Sequence, residues 1–364
     1  MQRLVTSQNK NQVETKDTGC FGCLQDALTG YKGSGICHII YSAKGTGRRI
    51  FMQGKLKRED CMSFDGFIAY IRLGIQQRVG NGCNVVVKEF TKNNGTTQQG
   101  LIVLEPESNI SPTIYLDNYY QTYVMGENLE KIESEILELY RKNRRENKMD
   151  VSFFTEWENA RQRIIFRMVN YNANKELLNG VPHRRILDLA VVYHCLVEST
   201  PEADATILIH NHHMESWKVT EDVLYHAALE NTPCLQKACV VNMEQVCQSM
   251  ISEKDSDLAV AKSINILTNT NRTNGAGVIL YPNVLKEFAE EMGHDFYIIP
   301  SSIHETILLP ILGDDWEALS QMVKEVNATQ LAPEEVLSDH VYEYRRSKNV
   351  VSMRGESLCL SDLW

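Results

Sequence analysis

One short segment places several chemically active side chains between two apolar runs. "IIPSSIHETILLP" (residues 298–310) contains Ser302, His304 and Glu305. A serine and a histidine two residues apart share one face of a strand, and nucleophilic catalysis needs the hydroxyl and the imidazole within hydrogen-bond reach, together with an oxyanion hole. The alternative is a polar corner between two strands, where Pro300 sets the bend and the hydroxyls bond to the local backbone.

A second segment is rich in histidine. "ILIHNHHMESW" (207–217) contains His210, His212 and His213. If the segment is a strand, His210 and His212 point the same way, a spacing that suits a metal ion, although such a site needs a third ligand. The alternative is a strand end that enters a polar turn, and we assign no metal. The candidate functional patch comprises His210, His212, Ser302, His304 and Glu305.

A third segment brings cationic and acidic side chains together. "NGVPHRRILDLAVVYH" (179–194) contains His183, Arg184, Arg185 and Asp188 immediately before an apolar strand. An Arg–Asp pair there can orient a carboxylate or phosphate of a ligand. The alternative, which we favour, is that these residues anchor the chain as it enters a sheet.

The elements that position these segments recur along the chain. After Met62 the pattern of strand, turn, strand and helix repeats, with "NNG" as a hairpin signal in the first unit and Gly293 as a helix stop in a later one. This pattern predicts an α+β fold with mainly antiparallel sheets and helices packed on one face. Ser63 is the expected N-cap of the first helix, whose apolar side chains recur at helical spacing.

Other segments give more specific expectations. We predict a helical stretch over "TEWENARQRIIFRMVNYNANKELL", a strand over "GAGVILYP" and a helix that begins at Ala332. "PTIYLDNYYQTY" reads as a strand with exposed tyrosines, which are typical anchors of a binding surface. The predicted domains are a poorly ordered or non-native extension (1–61), an N-terminal α+β subdomain (62–150), a C-terminal α+β domain (151–346) and a loose tail (347–364).

Composition narrows the function classes. The net charge of −10 argues against a nucleic-acid surface spread over the chain. No apolar run is long enough to span a membrane, and the first residues lack the apolar core of a secretory signal, so we expect a cytoplasmic protein with reduced thiols. Cys20 and Cys23 form a C-x-x-C pair, but no second pair at zinc spacing follows. No dinucleotide, P-loop or α/β-hydrolase motif is present, and we predict no cofactor.

Six ordered motifs resemble an uncharacterised domain-of-unknown-function family that is common in gut Clostridia and often carried on mobile elements. They include "SPTIYLDNYYQTYVMGENLEKI", "VPHRRILDLAVVYH", "IIPSSIHETILLP" and "MVKEVNATQLAPEEVLSDHVYEY", and they extend from about Met62 to about Arg346. "WKVTEDVLYHAALENT" and "GVILYPNVLKEFAEEMGHDFYIIPSS" are more distantly similar to the YtpQ family. Neither resemblance implies an activity or a catalytic residue.

Two hypotheses about function follow. The first is a non-catalytic module that binds a protein or peptide, because cofactor motifs are missing and aromatic side chains recur on the predicted strands. The alternative is a metal-assisted hydrolase that uses the "HNHH" and "SSIHE" segments, which requires both segments to line one pocket. Nucleic acid and membrane are not expected partners.

Overall fold

The chain divides into two compact units, with the division between Val151 and Ser152. The structure, a computed structural model, describes residues 61–106, 108, 111–144, 152–199, 204–242, 264–313 and 315–363. The predicted extension (1–61), apart from Cys61, and the Cys20–Cys23 pair lie outside the described residues. The α+β class with antiparallel sheets is confirmed.

The first unit is a three-stranded antiparallel sheet with helices on one face. Its strands are β1 (Asn84–Thr91), β2 (Thr97–Leu104) and β3 (Thr113–Tyr115), in that order across the sheet. Its helices are α1 (Phe64–Val79), α2 (Leu116–Val124) and α3 (Leu129–Asn143). One apolar core joins the helices to the sheet.

Local signals in this unit act as expected. Ser63 caps α1, since its hydroxyl accepts the Gly66 N–H at 3.2 Å. The "NNG" segment closes the β1–β2 hairpin, and Asn94 and Gly95 take the positive φ angles that its tight turn requires.

The strand predicted over "PTIYLDNYYQTY" is wrong beyond its first residues. β3 ends at Tyr115 and α2 follows. In a helix Tyr120 and Tyr123, three residues apart, lie on one face and pack against the core of the first unit. Tyr120 donates to the Met62 carbonyl at 3.1 Å, and Tyr123 accepts the Met62 N–H at 3.3 Å. These rings are half-buried and bonded within their own unit, so they are not the exposed anchors that we predicted.

The second unit contains two antiparallel sheets. In the four-stranded sheet β6 lies in the centre, with β4 along one side and both β5 and β7 along the other. Its strands are β4 (Ile164–Asn170), β5 (His183–Ile186), β6 (Leu189–Ser199) and β7 (Asp204–Leu208). The first helices of the unit are α4 (Trp157–Ala160), α5 (Lys175–Gly180), α6 (Asn211–Trp217) and α7 (Glu221–Leu235).

The seven-stranded sheet has the order β14-β13-β12-β10-β11-β9-β8. Its strands are β8 (Ala238–Asn242), β9 (Asn265–Asn269), β10 (Phe296–Ser302), β11 (Glu305–Pro310), β12 (Tyr342–Arg345), β13 (Val350–Met353) and β14 (Glu356–Cys359). The 3-10 helix Gly275–Leu280, α8 (Val284–Met292) and α9 (Trp316–Thr329) complete the unit. Alternate residues of β10 face two cores: Ile298 packs in the core shared with the four-stranded sheet, and Ile299 packs against α9.

Three expectations about local structure in this unit are wrong. The helical stretch predicted before residue 180 contains β4, an edge strand whose outer N–H at Phe166 donates to Thr232 of α7 at 3.0 Å. The strand predicted over "GAGVILYP" is the buried 3-10 helix, because the N–H groups of Gly275 and Ala276 bond to the β10–β11 turn instead of to a strand. The helix predicted from Ala332 is a single 3-10 turn, Pro333–Glu335.

The tail predicted to be loose after residue 346 is ordered. It forms β13 and β14, which extend the seven-stranded sheet beyond β12. The predicted helix stop is correct, because Gly293 ends α8 with a φ of 74°. None of the described helices combines the length and the apolar character that a bilayer crossing requires.

Candidate functional site

The β10–β11 turn holds Ser302, His304 and Glu305, and its polar groups bond to the backbone. The Ser302 hydroxyl accepts the backbone N–H of His304 at 3.0 Å, so it is not paired with the imidazole. His304 Nδ1 accepts the N–H of Asn274 at 3.1 Å, and its Nε2 lies 3.8 Å from a Glu335 carboxylate oxygen. Ser302 therefore stabilises the turn itself, and His304 holds the turn against neighbouring segments. This is not a serine–histidine catalytic arrangement.

Glu305 lies beside this turn in a buried position. Only 4% of its surface is exposed. Burial raises the pKa of its carboxyl group, although His304, Arg272 and a hydrogen bond with Ser301 act in the opposite direction. The charged form of Glu305 is therefore disfavoured in the folded state.

The three histidines of the "HNHH" segment lie together at the start of a helix. His210 precedes α6, and its backbone N–H donates to His213 Nδ1 at 3.0 Å. The ring centroids of His212 and His213 are 4.0 Å apart, and that of His210 lies 5.5 Å from His212. Burial and its two histidine neighbours lower the pKa of His213. The strand geometry, in which His213 points away from the other two, does not form. The alternative, a strand end that enters a turn, is closer to the structure, since β7 ends at Leu208 and α6 begins at Asn211.

The two histidine segments have separate partners. His213 packs against Phe154 and Trp217, whereas His304 bonds to Asn274. In the described part of the chain no hydrogen bond, ion pair or ring contact joins one segment to the other. Nor do the described residues contain a group of three or more His, Cys, Asp or Glu side chains arranged to hold a metal ion.

The "HRRILD" cluster separates onto two sides of the four-stranded sheet. Arg184 forms an ion pair with Glu221 at 2.5 Å and a second one with Asp222, and it lies 3.8 Å above the ring of Tyr225. These contacts tie β5 to the first turn of α7. Arg184 therefore has acidic partners within the protein and is not available to a ligand anion.

His183 and Arg185 lie on the other side of β5. His183 Nδ1 lies 3.0 Å from the Val181 carbonyl, and Arg185 Nε donates to the Leu187 carbonyl at 2.9 Å. A second guanidinium nitrogen of Arg185 reaches Glu356 at 3.5 Å. These contacts agree with an anchoring role for the cluster.

Asp188 is the centre of a buried network that the sequence does not reveal. Its carboxylate accepts hydrogen bonds from Ser338 and Tyr342, each at 2.6 Å, and lies 3.0 Å from His340 Nδ1. Burial and the charge of Asp188 raise the pKa of Tyr342 well above its ordinary value, so this hydroxyl stays a donor. The predicted Arg–Asp pair does not form, because Asp188 bonds instead to residues 150 or more positions away.

Arg167 was not identified from the sequence. It lies on β4 opposite Val192 of β6, on the same face as His194, which is two residues further along β6. No described residue forms a hydrogen bond or ion pair with Arg167, and its Nε is shielded from solvent without a partner. Burial lowers its pKa. The pattern of the strand gave no signal, since a cation inside an apolar run is normally read as solvated.

The next residue on this face is a histidine held neutral. Burial and the charge of Arg167 lower the pKa of His194 well below its ordinary value. Its Nδ1 lies 3.3 Å from the hydroxyl of Thr206 on β7. A guanidinium, an imidazole and a hydroxyl thus share one sheet face.

The chain matches a known protein family. The model of a family of unknown function, DUF5688, matches residues 64–346, more than half of the 364-residue chain. The chain belongs to DUF5688. No curated protein and no solved structure matches it.

The DUF5688 region agrees closely with the extent predicted from the motifs. It runs from the first residue of α1 to the residue after β12, and it contains every predicted site residue. It also contains Arg167 and the Asp188 network. β13 and β14 lie outside the matched residues, although they belong to the same sheet as β12.

Proposed function

We propose that the second unit of this DUF5688 protein is a non-catalytic binding module, and that Arg167 receives an acidic group of a protein or peptide partner. The observation that carries the proposal is the guanidinium of Arg167, which has no hydrogen-bond or ion-pair partner among the described residues. Keeping Nε of this guanidinium from water without a hydrogen-bond acceptor costs free energy, because a buried polar group loses its bonds to water. An external anion offsets that cost.

The chemistry of the surroundings favours a carboxylate. A guanidinium stays protonated even where burial lowers its pKa, and its fork of donors matches the two oxygens of a carboxylate. The neutral imidazole of His194 and the hydroxyl of Thr206 offer further polar contacts on the same face.

The acid whose charge acts on Arg167 is already engaged elsewhere. Asp204 accepts hydrogen bonds from Gln236 at 2.7 Å, from Asn271 at 3.0 Å and from Ser199 at 2.6 Å. Its charge acts on Arg167 without an ion pair between the two side chains. The guanidinium therefore keeps its donors for a partner.

The proposed test is peptide binding measured by fluorescence anisotropy. The probes are a fluorescein-labelled glutamate-rich peptide and the matched glutamine peptide. We expect the glutamate peptide to bind more tightly than the glutamine peptide. Arg167→Gln should weaken binding of the glutamate peptide at least about tenfold, because the variant cannot form the ion pair. Arg161→Gln, at an exposed arginine, is the matched control and should bind like the wild type. Equal losses in both variants, or no preference for glutamate, contradict the proposal.

A stability measurement separates this role from a structural one. Arg167→Met removes an unpaired, partly buried cation and keeps an apolar chain of similar length, so the free energy of unfolding should be unchanged or higher. A loss of more than about 1 kcal/mol would show that Arg167 stabilises the fold itself.

The alternative function is a metal-assisted hydrolase that uses His210, His212, His304 and Glu305. It requires both histidine segments to meet, and their separate sets of contacts count against it. Stoichiometric zinc, manganese or iron in the purified protein would favour it. A cytoplasmic location, the occurrence in mobile elements of gut Clostridia and the similarity to YtpQ remain predictions from the sequence.

A further inference from the structure

A cavity of about 250 Å³ opens in the second unit, and its lining residues include neither the histidine segments nor Arg167. It lies between the first turn of α8 and the segments that flank β13 and β14. Tyr281, Leu285 and Leu360 give it an apolar floor, since all three are buried. Its volume is at the small end of ligand sites, which suits a compact molecule.

The polar groups that line the cavity are mainly hydrogen-bond donors. Lys286 is exposed and forms no ion pair with a described residue, which leaves its ammonium available. The Ser361 hydroxyl oxygen accepts from Asn349 Nδ2 at 3.3 Å, so its hydrogen remains free to donate. None of the described residues that line the cavity is acidic. Donors without a carboxylate favour an anion.

Two of the lining residues, Leu285 and Lys286, also belong to the first turn of α8. The N–H groups of Leu285 and Lys286 form no hydrogen bond within the described part of the chain, and the side chain of the preceding Asn283 does not cap α8. Free first-turn amides attract negative charge. The protein as a whole carries a net charge of −10, so its overall charge does not attract an anion. Binding of an anion therefore depends on these local groups.

We propose that this cavity binds a small phosphate monoester with a compact apolar body. The phosphate would contact the Lys286 ammonium, the Ser361 hydroxyl and the two free amides, and the apolar body would lie on Leu285 and Leu360. Residues on both sides of the DUF5688 boundary form the site, because Asn349, Leu360 and Ser361 follow residue 346. The site is independent of the acidic-peptide function proposed for Arg167.

The test is calorimetric titration of the full chain with phenyl phosphate, with inorganic phosphate as competitor. We expect phenyl phosphate to bind and phosphate to displace it, as a shared anion subsite requires. Lys286→Gln should weaken binding at least about tenfold and Ser361→Ala about threefold, values typical of one charged and one neutral hydrogen bond. Both residues are exposed, so neither change should disturb folding.

Two control variants make the result decisive. Lys324→Gln removes an exposed lysine from α9, and Arg167→Gln removes the other proposed anion site; both should bind phenyl phosphate like the wild type. The absence of binding, or a loss in Lys324→Gln as large as in Lys286→Gln, overturns the proposal. A loss confined to Arg167→Gln also overturns it and assigns the phosphate to the sheet face instead.

Discussion

Asp188 and His340 are 152 residues apart in the chain and lie 3.0 Å apart in the structure. A carboxylate accepts hydrogen bonds, so the proton of the imidazole is on Nδ1, and Nε2 points away from the network. Asp188 also receives the hydroxyl groups of Ser338 and Tyr342. The β5–β6 turn is thereby fixed to the segment that leads into β12. Asp188 thus adds a polar link between the two sheets of the second unit, which also share an apolar core.

Replacement of Asp188 should destabilise the second unit. Asp188→Asn keeps the shape but replaces one acceptor oxygen by a donor, so buried hydroxyl groups lose their partner. We expect the free energy of unfolding to fall by about 2–4 kcal/mol. Urea unfolding followed by tryptophan fluorescence reports on this unit, because all four tryptophans lie from residue 157 onwards.

The matched control is Asp339→Asn, at an exposed aspartate next to the network. Its change in the free energy of unfolding should stay within about 0.5 kcal/mol. Similar losses in both variants would mean that the network contributes no more than an ordinary surface contact.

Gly74 should not tolerate a larger side chain. A Cβ there would lie 1.9 Å from Glu133 Oε1, and this carboxylate is buried and paired with Arg78 at 2.9 Å. Gly74→Ala should therefore lower the stability of the first unit by about 1–3 kcal/mol, although alanine favours helices. Faster hydrogen exchange of the α1 amides would report the loss.

Gly66 in the same helix provides the comparison. A Cβ there would meet Ser63 Oγ at 3.4 Å, an ordinary contact. Gly66→Ala should leave α1 unchanged or up to about 1 kcal/mol more stable. Equal protection of α1 in both variants would show that the Glu133 side chain moves without cost.

Gly275 should be equally restricted by the β10–β11 turn. Its Cβ would lie 2.6 Å from the Asn269 nitrogen and 2.7 Å from the His304 oxygen, which are backbone atoms and cannot rotate away. Gly275→Ala should cost at least about 2 kcal/mol in urea unfolding. Gly180→Ala, where nothing lies within 4 Å, is the control and should be close to neutral. A neutral Gly275→Ala would mean that the 3-10 helix does not pack on this turn.

Glu305 should make stability depend on pH. The pKa of its carboxyl group is raised in the folded state from the ordinary value of 4.5. The folded state therefore loses stability as the pH rises above that value, because the carboxyl group ionises more readily in the unfolded chain. Glu305→Gln cannot ionise. The free energy of unfolding of this variant, relative to the wild type, should increase with pH by about 1.4 kcal/mol for each unit by which the pKa is raised, and then level off.

Urea unfolding at a series of pH values measures this difference, and the series should start just below the ordinary pKa of 4.5, where the carboxyl group is protonated in both states. Glu317→Gln, at an exposed glutamate of α9, controls for the loss of a charge. A difference between Glu305→Gln and the wild type that is constant with pH, or that falls as the pH rises, would contradict a raised pKa.

The sequence by itself determined the features that depend on neighbouring residues. Ser63 capping α1, the "NNG" turn between β1 and β2 and Gly293 ending α8 are set by the conformational preferences of a few adjacent residues. Pro300 does not set the bend as expected, because it lies inside β10 opposite Thr306 and the turn falls at Ile303 and His304. The same local preferences failed for β4 and for the "GAGVILYP" segment, because their state is decided by a helix or a turn that packs on them.

Only the tertiary structure decided which polar side chains have partners. Arg184 is paired with Glu221 of α7, while Arg167 has no partner among the described residues. In the sequence each of them is only an arginine in or beside an apolar run. The hydrogen bonds that Asp188 accepts come from residues 150 to 154 positions away in the chain. Spacing along the chain carries no information about such contacts, because they form only when distant strands are brought together by a shared core.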